Sequence, residues 1–70
     1  MRVTTDKSEA VGFHFEHSAK LLAQNGFLME LECEGFHEGF QARVEILEGL
    51  WSVAIYDAYL REVGFLCMPD

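Results

Sequence analysis

Seventy residues, half of them hydrophobic and 13% aromatic, with twelve acidic against five basic side chains and a net charge of -7, specify one small acidic domain over residues 1–70 rather than a disordered chain. That charge excludes direct binding to nucleic acid or anionic lipid, because neutralising phosphate needs clustered Lys and Arg. No stretch approaches the ~20 apolar residues of a membrane span, and no apolar run follows a basic segment at the N-terminus, so the expectation is a chain without signal peptide in the cytoplasm.

In chain order, Met1 to Thr5 is short and β-prone, a frayed end or an edge strand. Thr5 and Asp6 are candidate caps, with Glu9 three residues after Asp6, for a helix running to Asn25-Gly26. Val11, Phe15, Ser18, Ala19 and Leu22 share one face of that helix, flanked by His14 and Leu21, and Glu16 and Lys20 form an i,i+4 pair. The competing reading alternates Val11, Phe13 and Phe15 with Gly12, His14 and Glu16 as a strand before a short helix capped by Ser18. The length of the apolar pattern favours the single helix.

Two hairpins follow. Phe27, Met29, Leu31 and Cys33 alternate with Leu28, Glu30, Glu32 and Glu34; Phe40, Ala42, Val44 and Ile46 alternate with Gln41, Arg43, Glu45 and Leu47; and Trp51, Val53 and Ile55 alternate with Leu50, Ser52, Ala54 and Tyr56. Taking Glu48-Gly49 as a two-residue turn opposes Leu47 to Leu50, Ile46 to Trp51 and Val44 to Val53, so core meets core. A loop at Phe36 to Gly39 does the same for the first pair. Asp57 to Gly64 reads either as a short helix or as a turn into a last strand, Val63 to Met68, ended by Pro69; the meander favours the strand. The expected fold class is α+β, one N-terminal helix packed on a three- to four-stranded antiparallel meander in the order αβββ.

Neither catalysis nor a cofactor is indicated. His14 and His17 with Cys33, His37 or Cys67 lack the ligand spacing of a structural zinc site. Cys33 reads as a small core hydrophobe rather than a nucleophile, Gly35 and Gly39 match no phosphate cradle, and Cys33 and Cys67 are not expected to form a disulfide in a cytosolic chain.

The face of the sheet turned away from the helix is more informative. Leu28, Leu47 and Leu50 form an apolar row beside Glu30, Glu45 and Ser52, then Glu32 and Arg43, then Glu34 and Tyr56. Glutamates facing one another should repel, and leucines gathered on a solvent face call for a cover. These eight residues, Glu30, Glu32, Glu34, Glu45, Leu28, Leu47, Leu50 and Tyr56, are the candidate partner-binding set. In size and acidity the chain is similar to phage-encoded anti-CRISPR and DNA-mimic proteins, a likeness of composition that covers no motif. It implies an inhibitor in a host cytoplasm that docks on a protein with a basic, nucleic-acid-binding surface. The alternative is a homodimeric structural or regulatory module pairing through the same sheet face.

Overall fold

A computed structural model describes residues 2–24 and 39–67. Strand β1 spans Arg2–Thr4, a 3-10 turn spans Lys7–Glu9, helix α1 spans Glu16–Gln24, and strands β2, β3 and β4 span Gln41–Leu47, Leu50–Tyr56 and Glu62–Cys67. The strands form one antiparallel sheet in the order β1-β4-β3-β2, with α1 across β2 and β3. This is the expected α+β architecture of one helix on an antiparallel meander. The β-prone N-terminus is the edge strand, and the last strand follows a turn, as the meander required. The expected strand from Phe27 to Glu34, with its core residues Met29 and Leu31, lies outside the described residues.

The β2–β3 hairpin follows parity. Leu47 faces Leu50, Ile46 faces Trp51 and Val44 faces Val53. Glu48 and Gly49 both take positive φ, 51° and 83°, the pattern of a type I′ turn, whose twist matches that of the flanking strands. Gly49 adopts it freely; Glu48 adopts it at the expense of a Cβ clash. Replacing Glu48 by Asn should therefore raise unfolding stability by about 0.5–1 kcal/mol, read from the urea midpoint at constant m-value; an unchanged or lowered midpoint would contradict the turn geometry.

The single long helix is corrected. Asp6 does cap, its Oδ1 accepting from the Ser8 N–H at 3.0 Å and the Ser8 hydroxyl at 2.7 Å, but what it caps is one 3-10 turn. Glu9 turns back to Arg2 and Thr4, both at 3.2 Å, instead of completing a capping box. The chain then runs extended beside the sheet. Val11 donates its N–H to the Leu66 carbonyl at 2.9 Å, and Phe13 and Trp51 exchange two backbone hydrogen bonds of 2.8 Å. These bonds satisfy backbone groups where the β3–β4 ladder, which covers Ala54 to Tyr56, does not reach. The competing reading caught this segment's extended character, although α1 begins at Glu16 rather than after a Ser18 cap. The Glu16–Lys20 pair forms at 2.7 Å.

The core under α1 joins Val11, Ala19, Val53, Ile55 and Leu66, with Phe13, Leu22, Phe40, Val44 and Trp51 packed around it. Two expected core residues lie outside it. Phe15, which precedes the helix, is 73% exposed, and Ile46, next to the hairpin tip, is 55% exposed. The opposite face departs further from expectation. Ser52, Ala54, Phe65, Cys67 and Thr4 are all buried, so β3 and β4 are covered on both faces where alternation predicted one solvated side.

Candidate protein-binding surface

Of the eight predicted residues, Leu28, Glu30, Glu32 and Glu34 lie outside the described residues. Glu45, Leu47, Leu50 and Tyr56 do share the face opposite α1. Leu47 and Leu50 form the last pair before the turn, and both are half-buried. Leu50 carries the N-terminal segment: a Cβ at Gly12 would stand 2.6 Å from its Cδ1. A side chain at position 12 would have to push the Leu50 side chain aside, so Leu50 is packing surface as much as open surface.

Glu45 is drawn into the fold as well. Its Oε1 accepts from the Tyr56 hydroxyl at 2.6 Å, while Glu62 Oε2 stands 3.4 Å from the same oxygen. A phenol has one proton to give, and the shorter distance assigns it to Glu45. Glu45 sits opposite Ser52, and Tyr56 sits opposite Gln41, so the bond joins residues that are not cross-strand neighbours. The Arg43 guanidinium lies 4.9 Å from the ring centroid, a cation–π contact. The hydrogen bond to Glu45, desolvation and the charges of Glu45 and Glu62 push the Tyr56 hydroxyl up to about 12. Tyr56 thus stays protonated and fastens one carboxylate of the expected acidic field.

Sequence reading placed a turn between β3 and β4 but assigned it no part in the candidate surface. Asp57, 7% exposed, organises it. Its backbone N–H donates to the Arg61 carbonyl at 2.9 Å, and its carbonyl accepts from the Leu60 N–H at 3.0 Å. Its Oδ1 accepts from the N–H groups of Tyr59 (2.8 Å) and Arg61 (2.9 Å), and its Oδ2 accepts from Arg61 Nε at 2.9 Å. The Arg61 backbone bond, with further help from its side chain, the Tyr59 N–H and the Arg61 charge, outweighs desolvation and holds the Asp57 carboxyl below its ordinary 3.8. Leu60 has φ 63°. This is a three-residue hairpin, a turn followed by a left-handed residue, a position at which glycine is the strain-free choice. The loop leaves Tyr59 80% and Leu60 58% exposed. The sequence signals were Asp57, legible as a capping residue, and the bend that the meander asks for before the last strand.

Among the described residues no three His, Cys, Asp or Glu side chains gather as a metal cluster, and no helix is long and apolar enough to cross a membrane. His14 and His17 are exposed and Cys67 is buried, while Cys33 and His37 lie outside the described residues. No protein-family model, curated protein or solved structure matches this chain.

Proposed function

We propose that the chain is a non-enzymatic protein-binding module, an inhibitor that docks on the basic, nucleic-acid-binding surface of another protein. The observation that carries this reading is the acidic surplus, a net charge of -7 with a pI near 4.7, on a body of 11.0 Å radius of gyration. Four of the five bases are already engaged. Arg2 pairs with Glu9, Lys20 with Glu16 and Arg61 with Asp57, and Arg43 lies over Tyr56. The two exposed pairs, Arg2–Glu9 and Lys20–Glu16, add little stability. They do leave the excess carboxylates to define the field met by an approaching partner.

Affinity capture, identification and purification of the partner test this reading. Association should slow as salt shortens the screening length from its ~8 Å at physiological strength. Changing Glu30, Glu32 and Glu34 together to Gln should slow it further, by about tenfold or more at low salt, and flatten its salt dependence. Bound nucleic acid should leave the partner as this protein binds. A partner that holds both at once, with affinity unaffected by the triple change, would overturn the inhibitor reading. The half-buried Leu47–Leu50 pair favours one second reading, a homodimer through this face; its sign is a salt-insensitive dimer in sedimentation that Leu47→Glu dissolves.

A further inference from the structure

The Asp57–Arg61 loop combines three properties that the fold itself does not need together: rigidity, backbone strain and exposed anchor side chains. One carboxylate holds the loop through two backbone N–H groups and one guanidinium. Leu60 occupies a left-handed position that glycine would fill without strain. Its side chain, 58% exposed, returns little packing for that cost. Tyr59, 80% exposed, is steadied by the Arg61 guanidinium 5.3 Å from its ring centroid.

We infer that this loop is the apolar anchor of a protein–protein contact, with Tyr59 and Leu60 inserting into an apolar pocket set in a basic surface. The inference rests on the protein-binding reading and names the contact that reading leaves open. A tyrosine and a leucine held on a rigid turn lose little conformational freedom on docking, and Tyr with Arg is a residue pair enriched at the energetic centres of interfaces. The basic rim follows from charge. Arg61 is balanced by Asp57, exposed Glu62 adjoins the loop, and the whole chain carries -7. A second copy would bring the same charge and is the poorer occupant.

The test sets stability against binding, with the purified partner from the capture experiment as the probe. Leu60→Gly should raise Tm by roughly 2–6 °C, as strain is relieved, and weaken Kd at least tenfold. Tyr59→Ala should leave Tm unchanged and weaken Kd to a similar degree, with the salt dependence of association kept as in the wild type. Leu60→Gly with raised Tm and wild-type Kd, or Tyr59→Ala with wild-type Kd, overturns the anchor. If the loop variants bind normally while the triple Gln variant does not, the protein-binding reading stands and the anchor alone fails. If no basic partner binds the wild-type protein, that reading fails and the anchor with it.

Discussion

Ile55→Ala should cost about 2–5 kcal/mol of unfolding free energy, the range for deleting a buried aliphatic side chain and leaving a cavity. Ile55 is fully buried and lies between two small cross-strand partners, Ala42 on β2 and Gly64 on β4. With little side chain beside it in the sheet, the space it fills has few neighbours able to collapse inward. Domains have only about 5–15 kcal/mol in total, and one of seventy residues sits toward the low end, so the variant should be largely unfolded at 37 °C. Ile46→Ala is the control. The same deletion at a side chain 55% exposed should change stability by about 0.5 kcal/mol or less. Urea unfolding of the two variants decides the matter, and equal losses would mean that the core has been misplaced.

Gly64→Ala should be nearly as damaging for a different reason. A Cβ at Gly64 would stand 2.6 Å from Val3 Cγ1 and 2.7 Å from the Thr4 carbonyl oxygen. Val3 can rotate away; the Thr4 oxygen belongs to the backbone of β1 and can move only with the strand. Overpacking of this kind costs about 1–3 kcal/mol, and here its relief displaces β1, which pairs with β4 from Arg2 to Thr4. Amide exchange should accelerate through β1 and the facing half of β4 while the β2–β3 hairpin keeps its protection. Adding Val3→Ala should restore only part of the loss. Wild-type exchange at Leu66 and Val3 in Gly64→Ala would show that the close approach is not a constraint.

Much of the sheet was legible because local signals agreed. Between Gln41 and Tyr56 a two-residue turn and strict alternation admit one register, and the structure has it. Alternation proved less informative about burial. Leu50 to Tyr56 contains no charged residue, the mark of a strand covered on both faces, and Ser52 and Ala54 are buried accordingly. The segment before Glu16 was misread because its apolar spacing fits a helix while its backbone is claimed by Leu66 and Trp51, partners that no local pattern discloses. Gly64, legible as a helix stop, is instead a glycine of close approach. In the candidate surface, parity placed Glu45 and Tyr56 on one face but could not join them, since they are not cross-strand neighbours. The turn before β4 was legible, but its strain was hidden by a leucine standing where glycine is expected.

The backbone bonds of Val11 and Phe13 order events during synthesis. β1 is made well before its partner β4, and Val11 and Phe13 bond to β4 and β3. At about 5–20 residues per second, the N-terminal segment waits several seconds without its partners, while β2, β3 and β4 each need only a neighbouring hairpin. The long-range closures are thus reserved for the end. Until then the β1-facing edge of β4 is an unpaired strand edge, the kind of edge on which another chain can add a strand.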